Sequence, residues 1–403
     1  MRRLLFISVG LLLASCSSSG NGGGDAGCRD DNSYTFPIGA RDDTFYVGPY
    51  LMHTTLNEVS ISWETEQASG TRLEYGRDSN YGRQIVGDSG SMHQVTVTGL
   101  EPQTLYHYRA CSDETCSGDL TFSTAPQAGS RFRFAVYGDS RSNPPEHQRV
   151  AEGIIGETPI LAFNVGDVVE NGNNRDEYKS MHFDPTRRLG EYVPIYVAIG
   201  NHEMKQYEVP DFLDYMMFPE DPDVPLPELS YTFTYGDAYF LVLDSTLDHF
   251  DLFFPLEGSE DPPLWKWLKE KAASKEAQAA RWRFALMHYP PDSECYAEAD
   301  YGIPSTAIRN YVVPLLAENH FTALFAGHQH DYEYMEISGL PCIITGGGGA
   351  GLETCANCTR DVSEITTVAC LHNYLTVDLG CDKAVVRAVD TDGNVFEQHE
   401  FDR

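Results

Sequence analysis

The sequence has little positive charge. Across its 403 residues, 28 Lys and Arg stand against 60 Asp and Glu, which gives a formal net charge of −32 at pH 7. Nucleic-acid binding needs clustered basic side chains that replace the counterions of phosphate, so this balance argues against it. An acidic surface also repels anionic substrates. A site that handles phosphate in this chain therefore needs a local source of positive charge.

The chain also lacks a hydrophobic run long enough to span a membrane. Its N-terminal apolar run, residues 4–13, is interrupted by Ser8 and Gly10 and follows Arg2 and Arg3. A charged start before a short apolar segment is typical of a secretory signal and is too short for a permanent transmembrane helix. We therefore expect the protein to be exported.

The end of this signal resembles the lipobox of bacterial lipoproteins. Residues 13–16 read Leu-Ala-Ser-Cys, and a stretch rich in Ser and Gly follows. The resemblance implies cleavage before Cys16, lipidation of Cys16 and, because Ser17 is not Asp, sorting to the outer membrane. We expect residues 1–15 to be the signal and residues 16–43 to be a flexible tether. An ordinary signal peptide with an incidental Cys is the alternative.

Cysteine usage agrees with export. Besides Cys16, nine cysteines are present, and an oxidising compartment makes disulfides the default for them. Cys111 and Cys116 flank a short turn and could pair. Cys355 and Cys358 could form half of a zinc site, but no matching second pair is present. Because nine is odd, we expect one thiol to be free or paired outside the chain.

Residues 44–125 have the pattern of an all-β domain. Segments of β-forming residues separated by turns lie at residues 46–51, 58–63, 71–75, 93–97 and 104–109. Together with Trp63 and the segment 100–108, which reads Leu-Glu-Pro near its start and Tyr-x-Tyr at its end, they resemble a fibronectin type III domain. Another small β-sandwich is the alternative. Residues 124–130 are a plausible linker.

From residue 131 to 403 the pattern changes to α/β, and no internal repeat is present. Apolar runs occur at residues 132–137, 160–165, 193–199, 238–243, 282–287 and 321–326. Such runs suit strands that are buried on both faces. Candidate helices lie at residues 146–156 and 263–275. We expect a layered α-β-β-α sandwich behind the all-β domain.

Polar residues follow five of these runs directly, usually after a glycine. They are Asp139, Asp167, Asn201 with His202, His288, and His328 with His330. The carboxyl ends of strands are where open α/β sheets place ligand sites, so we expect these side chains to converge. The glycines would allow the backbone to turn sharply, so that the next side chain points into the site.

The residue types of this set indicate metal ions. Two carboxylates, one amide oxygen and three imidazoles, with His202 set aside, are mixed oxygen and nitrogen donors that suit Fe, Mn or Zn. Six protein donors are too many for one metal with an open position and suit two metals that share a bridge. Such a pair, about 3.5–4 Å apart, clamps the attacking and leaving oxygens of a displacement. It also supplies the positive charge that the chain otherwise lacks.

The five segments are similar to those of the calcineurin-like metallophosphoesterases, and with the front domain they resemble the purple-acid-phosphatase branch. The resemblance implies one role for each residue: Asp139 and His330 on the first metal, Asp167 as the bridge, Asn201, His288 and His328 on the second metal, and His202 as a phosphate contact and acid. It also implies that a metal-bound hydroxide attacks phosphorus.

The sequence departs from this family in two places. Purple acid phosphatases have a Tyr ligand three residues after the bridging Asp, where this chain has Glu170. The wider family often has Asp-x-His in the first motif, where this chain has Arg141. We expect no purple colour, and Glu170 or solvent could replace the missing ligand. Arg141 could bind a substrate phosphate or form a salt bridge. Glu203 is expected to orient a His.

Three functions are compatible with the sequence. The leading one is an exported, lipid-anchored phosphatase that hydrolyses small phosphate monoesters with two ions of Fe, Mn or Zn. The second is a phosphodiesterase or nucleotide-hydrolysing enzyme on the same centre. The third is a non-enzymatic surface lipoprotein with a vestigial site. The expected partners are the substrate and, through Cys16, the membrane, with no nucleic acid and no obligate protein partner.

Overall fold

The computed structural model of the chain describes residues 38–204, 209–219, 221, 223–224, 229–246, 260–295 and 303–403. The predicted signal, Cys16 and nearly all of the predicted tether lie outside the described residues. Within the described residues, no helix combines the length and the apolar character needed to cross a lipid bilayer.

Six strands form the N-terminal domain. They are β1 (Val47–Met52), β2 (Glu58–Gly76), β3 (Arg83–Thr98), β4 (Leu105–Ser112), β5 (Thr115–Cys116) and β6 (Leu120–Ser123). β2 pairs with β1, β3 and β4, and β4 also pairs with β5 and β6. The apolar side chains Val59, Ile61 and Trp63 alternate along β2 and are fully buried. The prediction of an N-terminal all-β domain is confirmed.

The strand β2 differs from the prediction because it is continuous. The sequence suggests two strands, at residues 58–63 and 71–75, but one strand runs through both. Its pairing with β3 shifts register between Glu64 and Ser69 and again between Ser69 and Thr71. Irregularities of this kind bend a strand without ending it, so polar and small residues in the middle of β2 imitate a turn.

Two mixed sheets form the C-terminal domain. Their strands are β7 (Phe132–Tyr137), β8 (Leu161–Asn164), β9 (Ile195–Val197), β10 (Tyr231–Tyr235), β11 (Ala238–Leu243), β12 (Trp282–Met287), β13 (Ala323–Ala326), β14 (Tyr332–Ile337), β15 (Leu340–Thr345), β16 (Ile365–Ala369), β17 (Asn373–Leu379), β18 (Lys383–Asp390) and β19 (Val395–Asp402). One sheet has the order β10-β11-β12-β13-β15-β14-β16, and the other has the order β19-β18-β17-β7-β8-β9. The parallel strands β7, β8 and β9 lie in one sheet, and the parallel strands β11, β12 and β13 lie in the other.

The six apolar runs of the sequence all contain strands, namely β7, β8, β9, β11, β12 and β13. Their residues are almost entirely inaccessible to solvent, as runs that face a core on one side and helices on the other must be. The strands β14 to β19 were not predicted from the sequence. They are antiparallel to at least one neighbour, and several have partly exposed positions, so their hydrophobic pattern is weaker.

Aromatic rings fill the space between the two sheets. The Phe134 ring of β7 lies 5.2 Å from the rings of Phe240 and Phe284, which belong to the other sheet. It also contacts Phe325 of β13 and Phe163 of its neighbour β8. This cluster holds the ends of the parallel strands of both sheets in a fixed relation.

Short helices cover the outer faces. They are α1 (Pro144–Gly156), α2 (Arg175–Glu177), α3 (Asp184–Gly190), α4 (Pro210–Tyr215), α5 (Pro263–Ala272), α6 (Lys275–Ala279), α7 (Ile303–Ala307) and α8 (Val313–Glu318). The helix α1 buries Val150 and Ile154 in the core that includes β17. The helix α5 buries Leu264 and Leu268 in a second core with residues of β11, β12 and β13. The helices therefore lie on opposite sides of the two sheets, and the predicted layered α-β-β-α fold is confirmed.

Disulfides are present in both domains, and one of them joins the segment after β12 to the loop after β15. The bonded pairs are Cys111–Cys116, Cys295–Cys358 and Cys355–Cys370, and Cys381 is disulfide-bonded as well. Among the described residues Cys342 is the one free cysteine, and it is buried. The suggestion that Cys355 and Cys358 form half of a zinc site is therefore wrong, because each sulfur is already in a disulfide.

Phe134→Ala should destabilise the C-terminal domain strongly. The substitution removes a ring from the contact between the two sheets, and large-to-small changes of this type cost about 3–5 kcal/mol. Thermal unfolding followed by circular dichroism measures the effect. Phe401→Ala, at a partly exposed position of β19, is the matched control and should shift the unfolding midpoint much less. Equal shifts in both variants would contradict the central role of Phe134.

Candidate metal centre

The strand ends of the two sheets meet at one place, and they bring the predicted residues together. Asp139 follows β7, Asp167 follows β8 and Asn201 follows β9. From the other sheet, His288 follows β12 directly and His328 follows β13 by one residue. One ligand atom each of Asp139, Asp167 and His288 lie within 4.8 Å of one another.

Hydrogen bonds between these loops fix their relative positions. The Asp139 N–H donates to the Gly166 carbonyl (2.9 Å), and the His328 N–H donates to Asp139 Oδ2 (2.8 Å). The His202 N–H donates to Asp167 Oδ1 (3.0 Å). Loops from both sheets are therefore tied together through the carboxylates themselves.

Three of the predicted ligands have a left-handed backbone. The φ angles are +54° at Asp139, +57° at Asp167 and +71° at His328. Residues other than glycine adopt this region at a cost of about 1–3 kcal/mol and keep it only where the surroundings hold them. The turn that directs each side chain into the site is thus made by the ligand residue itself.

The glycines before the ligands have a different role from the predicted one. Four predicted ligands follow a glycine, namely Gly138, Gly166, Gly200 or Gly327. Of these glycines only Gly166 has a positive φ, at +101°. At Gly200 an added Cβ would lie 2.3 Å from Asp167 Oδ1, and at Gly327 it would lie 2.4 Å from Asp139 Oδ2. Gly200 and Gly327 are therefore required because the carboxylates approach their Cα atoms closely, not because the chain turns there.

Three imidazoles are oriented by main-chain carbonyls. With Nδ1–H as the donor, His288 bonds to the Val165 carbonyl (2.9 Å), His330 to the Gly351 carbonyl (2.7 Å) and His202 to the Glu170 carbonyl (2.9 Å). These bonds fix the tautomer and leave each Nε2 directed at the site. The sequence did not indicate these partners, because every residue type carries a carbonyl.

The contact between Asn201 and His288 fits a bound cation. Burial lowers the pKa of His288, which favours the neutral imidazole, and its Nδ1–H is already donated to Val165. Its Nε2 therefore presents a lone pair 3.0 Å from Asn201 Oδ1, which also lies 3.1 Å from His328 Nδ1. Two acceptors that face each other at this distance repel, and a cation between them would turn the repulsion into coordination.

The carboxylate Asp139 also fits this interpretation. It is fully buried, and its Oδ1 has no hydrogen-bond partner among the described residues. Burial and the neighbouring charge of Asp167 raise the pKa of Asp139. Burial acts on Asp167 in the same direction, but electrostatic interactions with the neighbouring His288, His202 and Arg141 outweigh it and lower the pKa of Asp167 to about 2. An unsatisfied buried carboxylate beside a second one calls for a positive charge.

Glu203 supports the loop of Asp167 and does not orient a His. Its Oε2 accepts the N–H groups of Gly200 (2.8 Å) and Asp167 (2.9 Å), and its Oε1 accepts those of Val168 (2.8 Å) and Val169 (3.2 Å). The side chain is completely buried. Burial and the charge of Asp167 raise the pKa of Glu203 to about 7. The prediction that Glu203 orients a His is therefore wrong, although Glu203 does belong to the site.

Arg141 and Glu170 form an ion pair beside the predicted ligands. Arg141 Nη1 lies 2.8 Å from Glu170 Oε1, and Arg141 Nε lies 3.3 Å from Asp167 Oδ2. Its Nη2 lies 3.3 Å from His330 Nε2. The Glu170 carboxylate also accepts from the Ser142 hydroxyl. Arg141 therefore forms a salt bridge, which is one of the two roles predicted for it. Its partner is Glu170, the residue at the position where purple acid phosphatases have the Tyr ligand.

Comparisons with known proteins agree with this geometry. A family model described as calcineurin-like phosphoesterase matches residues 132–332, and one described as purple acid phosphatase, N-terminal domain, matches residues 48–124. Together they cover most of the chain. The fibronectin-like description of the front domain stays a prediction.

Relatives and solved structures show the same similarity. Purple acid phosphatase 15 of Arabidopsis thaliana is 26% identical over 71% of this chain and 58% of its own length. Probable purple acid phosphatase 20 of the same plant is 24% identical over 82% of this chain and 80% of its own. Purple acid phosphatase PPD1 from yellow lupin (Lupinus luteus) seeds has a similar fold, with a TM-score of 0.72 at 16% identity, covering 88% of this chain and 74% of that one. The structure of PhoD has a TM-score of 0.66 at 15% identity, covering 93% of this chain and 90% of that one.

The fold and the residue set at the strand ends are thus those of a metallophosphoesterase domain. The chain belongs to the calcineurin-like metallophosphoesterases, with the N-terminal domain of the purple acid phosphatases in front. The match spans less than two thirds of the length of the first relative described above.

Asp167→Ala should remove both ions from the metal-loaded protein. Asp167 has one oxygen 3.4 Å from His288 Nε2, and a ligand atom of Asp139, from the other half of the set, lies within 4.8 Å of it, so Asp167 lies between the two halves. Metal analysis of purified protein measures the stoichiometry. Asp292→Asn, which removes an acid paired with Arg309 and Arg360, is the control and should keep the full metal content. Retention of two ions per chain in Asp167→Ala would refute the bridging role.

Proposed function

We propose that this chain is a phosphatase that hydrolyses phosphate monoesters at a centre of two metal ions. The observation that carries the proposal is the convergence of five strand ends, which places oxygen and nitrogen donors around a buried carboxylate oxygen that lacks a hydrogen-bond partner in the described part of the chain. The residues that would hold the ions are those assigned from the sequence: Asp139, Asp167, Asn201, His288, His328 and His330. When bound, such a pair of ions supplies a nucleophile at neutral pH and neutralises phosphoryl charge.

His202 is placed to handle the proton of the leaving group. Its Nδ1–H donates to the Glu170 carbonyl, so the ring is fixed and Nε2 is the atom that can carry the transferred proton. Nε2 lies 3.8 Å from Asp167 Oδ2, at the border of the ligand set, and the side chain is 16% exposed. We propose that a protonated His202 donates to the leaving oxygen as the P–O bond breaks.

Arg141 is the second group that we propose to contact substrate. Its guanidinium lies beside Asp167 and His330 and is 15% exposed, so it borders the place where a phosphoryl group would sit. Its planar N–H groups match the oxygens of a phosphate. Electrostatic attraction of this kind would offset the repulsion of an anionic substrate by the acidic surface of the protein.

The preference for monoesters rests on the relatives, which are named acid phosphatases. A phosphodiesterase or nucleotide-hydrolysing activity on the same centre is the second candidate. We expect the leaving group to bind to loops such as 204–230 and 246–262, and parts of both loops lie outside the described residues. A vestigial site in a non-enzymatic lipoprotein is less well supported, since all six donors and His202 are retained.

We also propose that the protein is exported and anchored to the outer membrane by lipid on Cys16. The support comes from residues 13–16 of the sequence and from the disulfides, which form and persist in oxidising compartments. Two experiments test the anchor. A globomycin-treated culture should accumulate the uncleaved precursor. A Cys16→Ala variant, which lacks the thiol that would carry the lipid, should no longer be found with the membrane.

His202→Ala should lower activity by about 10²–10⁴-fold while the metal content stays close to that of the wild type. The reason is that the ring contributes a proton and no metal coordination in the proposed arrangement. Activity on a phosphate monoester and metal analysis are measured on the same preparation. A proportional loss of metal would show that His202 is a ligand instead. A substrate with a very acidic leaving group should be affected less, since it needs no proton.

The wild-type protein should hydrolyse a chromogenic phosphate monoester faster than the bis-ester of the same alcohol. The two substrates share a leaving group, so the ratio of kcat/KM reports the preference for a terminal phosphate. A ratio in favour of the bis-ester would support the phosphodiesterase instead. If protein loaded with Mn, Zn or Fe hydrolysed neither, the non-enzymatic interpretation would stand.

A further inference from the structure

The guanidinium of Arg141 donates hydrogen bonds to two of the proposed metal ligands. Its Nε lies 3.3 Å from Asp167 Oδ2, and its Nη2 lies 3.3 Å from His330 Nε2. Its Nη1 pairs with Glu170 Oε1 at 2.8 Å. All three nitrogens of this side chain are therefore engaged, and two of them contact atoms that the proposed function assigns to a metal ion.

The contact with His330 uses the atom that would coordinate the first ion. His330 donates its Nδ1–H to the Gly351 carbonyl (2.7 Å), so Nε2 carries the one free lone pair of the neutral ring. Burial lowers the pKa of His330, which favours this neutral form. A single lone pair accepts either an N–H group or a metal ion, so Arg141 and the first ion require the same atom.

The two oxygens of Asp167 have different neighbours. Its Oδ1 lies 3.4 Å from His288 Nε2, a proposed ligand of the second ion, and accepts the N–H of His202. Its Oδ2 accepts from Arg141 Nε. The oxygen directed away from the second ion is therefore the one that the guanidinium contacts.

The charge of Arg141 acts in the same direction as its hydrogen bonds. The side chain is 15% exposed, so water screens its charge only in part. Two cations close together in such surroundings repel each other strongly. Arg141 therefore opposes binding of the first ion both by occupying its ligand atoms and by repulsion.

The contacts among the proposed ligands of the second ion are of another kind. His288 Nε2 presents its lone pair to Asn201 Oδ1 at 3.0 Å, and His328 Nδ1 lies 3.1 Å from the same oxygen. A cation between His288 Nε2 and Asn201 Oδ1 would gain two ligands, and no N–H group has to leave this contact. The second ion thus does not face the competition that the first one does.

We propose that Arg141 competes with the first metal ion for Asp167 Oδ2 and His330 Nε2, so that the first ion is bound more weakly than the second. This inference rests on the proposed function and adds a form of regulation to it. When the first ion binds, Arg141 leaves the two ligands, and its N–H groups become available to the oxygens of a substrate phosphate. The ion pair with Glu170 keeps the side chain beside the centre during this exchange.

Metal occupancy at buffered concentrations of free Mn²⁺ tests the proposal. Wild-type protein loaded with Mn²⁺ is dialysed against a series of chelator-buffered solutions, and the Mn retained per chain is measured by metal analysis. We expect two separate midpoints, each for one ion per chain. His330→Ala should abolish the midpoint at the higher free Mn²⁺ concentration and keep the other, which assigns the weaker step to the first ion.

Arg141→Met should move the weaker midpoint to a lower free Mn²⁺ concentration by about 10–100-fold, the size of effect that groups next to metal ligands usually have on affinity. Met is similar in length and has no charge. Arg133→Met is the matched control, because Arg133 is also partly buried and pairs with Glu157 and Asp378 near the other end of β7. In this control both midpoints should equal those of the wild type.

Glu170 needs a control of its own, because without Arg141 its carboxylate has lost an ion-pair partner and could coordinate the ion instead. The double variant Arg141→Met/Glu170→Gln should keep the gain in affinity. If the gain disappears in the double variant, Glu170 has become a ligand and the proposed competition is refuted.

Two further results would overturn the inference. One is a common midpoint for both ions in the wild type, which decides the matter even if the variants do not fold. The other is an unchanged weaker midpoint in Arg141→Met. Both results leave the centre of two metal ions intact. Wild-type protein that retains no Mn²⁺ at any free concentration would instead refute that centre, and this inference with it.

Discussion

Two buried carboxylates, Asp139 and Asp167, meet where the strands β7 and β8 end, and the rest of the site depends on how their charge is balanced. Their exposed fractions are 0% and 1%, so water contributes little. Like charges in such surroundings destabilise each other unless donors or cations are close. Backbone N–H groups and one guanidinium donate to three of the four oxygens. The oxygen of Asp139 that has no hydrogen-bond partner in the described ranges lies 3.6 Å from His330 Nε2, and it marks the position where a bound ion would complete the balance.

The geometry of the centre is held mainly by the backbone. Three ligands keep a left-handed conformation, and each is tied by hydrogen bonds to a loop from a neighbouring strand. Glu203 gathers four N–H groups of these loops on one carboxylate. Strain of this type persists only where many contacts determine the structure together. The aromatic packing around Phe134 supplies that rigidity, because it fixes the two sheets from which the loops emerge.

This division explains how much could be predicted from the sequence. The convergence of the predicted ligands could be anticipated, because a polar residue at the end of a buried run is a local signal in the sequence. The sequence did not reveal three other features: the carbonyls of Val165 and Gly351, the close approach to Gly200 and the N–H groups bound by Glu203. These features arise from contacts between segments far apart in the chain. The strands β14 to β19 were not predicted for a related reason, because the burial of their residues depends on which neighbouring segments cover them. Neither the metal identity nor the substrate has a comparable local signal.

The two positions at which the sequence departs from the family, 141 and 170, are in direct contact in the structure. Arg141 stands where the wider family often has His, Glu170 stands where purple acid phosphatases have Tyr, and in this fold the two side chains contact each other at 2.8 Å. An ion pair therefore occupies the two positions at which the wider family or the purple acid phosphatases carry an additional metal ligand. Since Glu170 also accepts from Ser142, its carboxylate is already engaged. Asp139, Asp167 and His330 would then be the protein residues that hold the first ion, and the guanidinium of Arg141 lies directly beside two of them, Asp167 and His330.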